Sequence, residues 1–128
     1  MYEIVDLDRA AERFTSRVRD LVEVLPRDDL AGQALSVELE YAHRRFLEAW
    51  KDLGGAAKGT PATWAQVEKS TAECLRLIEL LWRTQMLHPP RVLQILAHGK
   101  AFADAVAKSR RQSAVRRPAP RRRGGGGR

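Results

Sequence analysis

The sequence predicts an all-α protein: an antiparallel four-helix bundle over residues 1–107, followed by a disordered basic C-terminal tail over residues 108–128. Three observations carry this. Apolar residues recur at steps of three and four in four separate segments. No segment has the strict apolar–polar alternation of a half-buried strand. The strong breakers fall between the segments: Pro26, the glycine-rich run at 54–59, and Pro89 with Pro90. Four amphipathic helices joined by short turns bury their stripes best as an up-down bundle.

In the first segment Leu7, Ala10, Phe14, Val18, Leu21 and Leu25 form one stripe. Asp6 is placed to cap its start, and Pro26 closes it because the residue before a proline is pushed out of the helical region. The second segment runs from about Asp29 to Leu53 on a stripe of Leu35, Leu39, Ala42, Phe46, Ala49 or Trp50, and Leu53. Leu30, Ala34, Val37 and Tyr41 are expected to widen that stripe, as on a helix touching more than one neighbour. Thr60 and Pro61 read as an N-cap followed by proline at the first helical position. The third helix then carries Trp64, Val67, Thr71, Cys74, Leu75, Ile78, Leu81 and Trp82. The fourth presents Val92, Ile95, Leu96, Gly99, Phe102, Ala103 and Val106.

The charge is unevenly spread. The chain has 128 residues, with 23 Lys+Arg against 16 Asp+Glu, a net of +7. Nine of the basic residues and none of the acidic ones lie in 108–128, so the first 107 residues carry a net −2. The tail RRPAPRRRGGGGR joins like charges, prolines and glycines and has too little apolar surface to offset the entropy of ordering. The length suits one domain. A single cysteine, Cys74, excludes an internal disulfide. No apolar run approaches the roughly 18–20 residues of a membrane span, and the N-terminus has neither signal nor transit character, so a cytoplasmic protein is expected.

Catalytic patterns do not emerge. Glu40 and His43 have the Glu-x-x-His spacing of a di-metal bundle site, but Gln85 and Ile95 stand three before His88 and His98, so there is no second copy. Glu40 and His43 are read as a solvated pair, and Cys74, on an apolar face, as a small core residue. There is no nucleophile elbow, phosphate loop or dinucleotide fingerprint. No enzyme, cofactor or metal is expected; a helical metalloenzyme is the weakest of the readings.

The positive signal is electrostatic. Lys108, Arg110, Arg111, Arg116, Arg117, Arg121, Arg122 and Arg123 can neutralise phosphates of RNA or DNA and release counterions. A second basic set on the body comprises Arg44, Arg45, Arg76, Arg83, Arg91 and Lys100. Arg76 and Arg83 share one helix face with Glu79 between them, compatible with an ion-pair ladder or with a phosphate-binding groove.

The third and fourth helices, ECLRLIELLWRTQML and PPRVLQILAHGKAFADAVAK, follow a short proline turn and a long second helix. This order, with Leu81-Trp82-Arg83 and Gly99-Lys100, resembles the accessory variability determinant proteins of diversity-generating retroelements. It is also similar to the four-helix proteins encoded in intervening sequences of large-subunit ribosomal RNA genes. Glu79 departs from that pattern, which often has an arginine there. The resemblance covers most of residues 7–108. It implies a non-enzymatic protein that assembles as a ring of five, contacts nucleic acid through Arg83 and Lys100, and partners a reverse transcriptase. The alternative reading is a helical interaction module docking an acidic protein, with the tail only steering the encounter.

Overall fold

The computed structural model describes residues 2–25, 28–84 and 89–116. It is an all-α four-helix bundle, with α1 over Tyr2–Val24, α2 over Leu30–Leu53, α3 over Pro61–Thr84 and α4 over Pro89–Arg116. A single 3-10 turn, Ala56–Lys58, lies between α2 and α3. No helix among the described residues is long and apolar enough to cross a membrane.

Local chemistry sets the helix ends. Asp29 holds an extended backbone and its carboxylate accepts from the Gly32 N–H at 3.2 Å, satisfying one of the unpaired donors at the start of α2. Gly54 ends α2 in the left-handed region at φ 74°, and its N–H donates to the Lys51 carbonyl at 3.1 Å. At α3 the Thr60 hydroxyl accepts from the Thr63 N–H at 3.2 Å while the Thr63 hydroxyl accepts from the Thr60 N–H at 2.9 Å. That reciprocal pair occupies the place of a capping box, with Pro61 at the first helical position as expected.

The core divides along the bundle axis. Around the middle and towards the Gly54 turn it is aromatic. Phe14 meets Phe46 edge-on at 5.1 Å, Trp50 meets Trp64 edge-on at 6.1 Å, and Phe102 lies within 6.0 Å of Phe14, Phe46 and Trp50. Towards the opposite end it is aliphatic, built from fully buried Val18, Leu21, Leu39, Ile78, Leu81 and Val92. The two polar side chains buried in α3 bond back into their own helix: Thr71 donates to the Val67 carbonyl at 2.7 Å and Ser70 to Gln66 at 3.0 Å. α2 packs extensively on α3, and α3 on α4, while α1 meets α2 and α4 over fewer contacts.

Three expectations need correction. α1 starts at Tyr2, a full turn before the cap assigned to Asp6. The residues expected to widen the α2 stripe form a separate one: Leu30, Val37 and Tyr41 are 82%, 50% and 54% exposed, on the side of the helix away from buried Leu39, Ala42 and Phe46. Finally, the bundle does not stop at 107. α4 continues to Arg116, because the Ser113 hydroxyl donates to the Gly59 carbonyl at 3.1 Å and Arg110 lies against Glu68 of α3. Lys108, Arg110 and Arg111 are therefore helical. The disorder expected of 117–128 lies outside the described residues.

Candidate nucleic-acid interface

The last acidic residue of the chain is Asp104, and every later charge is positive. Helical spacing distributes these charges around α4 rather than along one edge. Arg110 turns inward, its Nε 2.6 Å from a Glu68 carboxylate oxygen; the two touch as charges without the alignment of a hydrogen bond. Lys108 and Arg111 are exposed. Arg116 is the final residue of α4, and Arg117, Arg121, Arg122 and Arg123 lie outside the described residues. What the fold contributes is a place for the end of α4: Ser113 ties the helix to the Gly59 carbonyl, which sets its last turns at the Gly54–Thr60 end of the bundle.

The body residues are placed elsewhere. Arg83 sits at the end of α3, with a guanidinium nitrogen 3.1 Å from Glu79 one turn back. Of the two geometries open to that face, the ion pair within the helix is the one formed. Lys100 is exposed on α4, seventeen residues along the chain from Arg83. Arg45 bonds Glu73 across the α2–α3 seam at 3.0 Å, which makes it a strut between helices. Arg44 lies over the Tyr41 ring at 5.9 Å, a cation–π contact beside the outward stripe. The basic residues of the body thus do not converge on one groove with those of the α4 end.

The catalytic candidates resolve into packing. Cys74 is fully buried, and its thiol is pushed up to about 12, first by burial and then by Glu73, with Arg45 opposing. A thiol held protonated in this way is a poor nucleophile at neutral pH. His43 and Glu40, expected as a solvated pair, are separated by the fold: Glu40 is exposed, while His43 is buried against Phe46. Burial first, and the nearby Arg19 second, pull the His43 imidazole below its ordinary value, and its Nε2 has no partner among the described residues. No three His, Cys, Asp or Glu side chains converge as metal ligands among the described residues.

No protein-family model matches the chain, and neither does any curated protein or solved structure. The residues themselves must carry the functional argument.

Two further features stand apart from the candidate cationic residues. One is the outward stripe of α2, whose signal is present in the spacing of Leu30, Ala34, Val37 and Tyr41 but reads equally as a broad core face. Leu80 belongs with it. The Arg45–Glu73 pair sets the register of the antiparallel seam, so Leu80, seven residues beyond Glu73, stands level with Glu38, seven before Arg45. The other is a groove between α1 and α4 edged by Arg13, Arg17 and His98. Its sequence signal is arginine at every fourth position of α1: Arg9, Arg13 and Arg17.

Proposed function

We propose that this chain is a non-enzymatic accessory protein that binds RNA through the cationic segment at the end of α4 and partners a reverse transcriptase. The observation that carries the nucleic-acid half is the distribution of charge: residues 1–107 carry a net −2, and every charge after Asp104 is positive, the first of them on the last turns of α4. Such a run neutralises phosphates without reading bases, so it confers affinity while leaving specificity to a partner. The reverse-transcriptase half is supported by the helix order and by the residues around Arg83 and Lys100 that resemble the retroelement accessory proteins. Assembly with further copies, a ring of five by that resemblance, is supported by the exposed apolar stripe of α2.

The test is electrophoretic mobility of a structured RNA with the full chain, over a range of salt. If six cations engage, log K should fall against log salt with a slope of roughly −4 to −5. Replacing Arg117, Arg121, Arg122 and Arg123 by serine removes four of them and should flatten that slope by about 3. Absence of binding at ~50 mM salt, where such contacts are strong, removes the nucleic-acid half. Static light scattering that returns a monomer removes the assembly half.

The second reading, an interaction module for an acidic protein, draws on the same stripe. Arg44 and Arg76 flank Tyr41 and Leu80, giving an apolar strip with a cationic border. Under that reading the serine variant would retain its protein partner, and nuclease would not release it.

A further inference from the structure

We propose that the groove between α1 and α4 binds a long-chain carboxylate: one alkyl chain ending in an anionic head. The groove has a volume of 540 Å³, inside the roughly 300–1,000 Å³ of small-molecule sites, which helical bundles place between their helices. Its floor is apolar, made of Phe14, Ile95 and Phe102. Its walls are low because Ala10, Ala101 and Ala105 stand where larger side chains would close the seam. Among the described residues the ionisable groups that line it are Arg13, Arg17 and His98, with no carboxylate.

Each property narrows the occupant. Arg13 and Arg17 are one turn apart on α1, a like-charge pair that weakens an isolated helix. Among the described residues neither is in an ion pair, so an anion lying between them and His98 would relieve the repulsion and gain charge-assisted hydrogen bonds. The floor residues are at most 5% exposed, so the helices are closed beneath the groove and an occupant lies along the seam without parting them. At 540 Å³ the groove has room for a single alkyl chain and not for a helix, whose diameter with side chains is about 10–12 Å. From Leu7 to Arg17 it follows ten residues of α1, about 15 Å at helical rise, close to an extended dodecyl chain. The protein's own C-terminal run is a poor occupant, because its arginines would meet Arg13 and Arg17. The head therefore belongs at the Arg17 end and the alkyl tail points towards Leu7 and Ala105.

This site is separate from the residues of the RNA reading and stands or falls without it. Isothermal titration of the full chain with dodecanoate, kept below its micellar concentration, tests it. The expected result is one dodecanoate per chain and no binding of dodecyltrimethylammonium. Replacing both Arg13 and Arg17 by alanine should weaken dodecanoate about tenfold or more, the loss of charge-assisted contacts. Ala105→Phe should abolish binding; Ala101→Phe, at an exposed position where folding is not at stake, should do the same with the melting temperature held. The proposal is overturned by no binding, by equal binding of the cationic amphiphile, by many ligands per chain, or by full affinity in the arginine or phenylalanine variants.

Discussion

The two ends of this bundle solve the burial problem differently. At the end formed by the Gly54 turn and the start of α3, aromatic rings fill the interior: Phe46 is 1% exposed and Trp64 2%. The turn itself is drawn in, since Gly59 sits so close to the Trp64 indole that a Cβ there would overlap the ring. At the other end the interior is aliphatic and large apolar side chains spill onto the surface. Val24, Leu30, Val37, Tyr41, Leu80, Trp82 and Leu93 are exposed there, at the C-termini of α1 and α3 and the N-terminal halves of α2 and α4; Leu47 is the one such residue elsewhere among those described. Exposed apolar residues scattered singly mean little, whereas Leu30, Val37 and Tyr41 share one outer face of α2. The aromatic end closes the interior and receives the last turns of α4, and the aliphatic end leaves its large apolar side chains in solvent.

Phe46 is where the aromatic half is most vulnerable. Its ring touches Phe14, Trp50 and Phe102, so Phe46→Ala empties the centre of the aromatic half. A loss of about 3–5 kcal/mol is expected in denaturant unfolding. A loss under ~1 kcal/mol would mean that the aromatic half collapses around the gap and is not the stable one.

A smaller effect is expected from acid. The His43 imidazole titrates below its ordinary value because its charged form is poorly solvated in the core and stands near Arg19. Below about pH 6.5 the unfolded chain therefore binds a proton that the folded one resists, and stability falls as pH drops until the folded-state value is passed. Melting curves at pH 7.5 and pH 5.5 should differ, and His43→Phe should reduce the difference. An unchanged difference in that variant would assign the acid sensitivity to carboxylates instead.

Phe46 and His43 also mark the boundary of what local sequence encodes. Helix number, the breakers, the Asp29 and Thr60 caps and the buried place of Cys74 are all local, written in spacing and in single residues. His43 departs from expectation because its polarity argues for solvent, while its place four residues after Leu39 and seven before Trp50 sets it on the inner side of α2, against Phe46. The same holds for residues 108–116. Their composition argues against order, yet one hydroxyl on Gly59 and one charge contact with Glu68 accompany two further turns of helix. The candidate site is legible as charge and only partly as geometry: spacing offers the Arg83–Glu79 pair within α3, but not the contact of Arg110 with Glu68 across two helices.

The outward stripe separates stability from assembly. Leu30 and Val37 make little contact with the core, so replacing both by glutamate should alter monomer stability by no more than ~0.5 kcal/mol per site. The same variant should lower the mass measured by light scattering if copies meet through α2. A large loss of stability with unchanged mass would show that the stripe is folded against the body after all.

The smallest expected effect falls on Arg83, and it decides between two uses of one side chain. Arg83 and Glu79 are exposed at 67% and 40%, and an ion pair in that setting is screened by solvent, so Arg83→Ala should cost under ~0.5 kcal/mol. For RNA binding, however, the pair matters more than its energy. A guanidinium already facing a carboxylate presents less net positive potential to a phosphate, and Glu79 would repel the phosphate it met. Arg83→Ala should therefore leave the salt slope of RNA binding unchanged, whereas Glu79→Gln should strengthen binding slightly by unmasking the arginine. If Arg83→Ala instead lowers the slope by about 1, a phosphate sits on α3. The cationic surface would then extend from the end of α4 to the aliphatic end of the bundle, and the contrast between the two ends would fail at that residue.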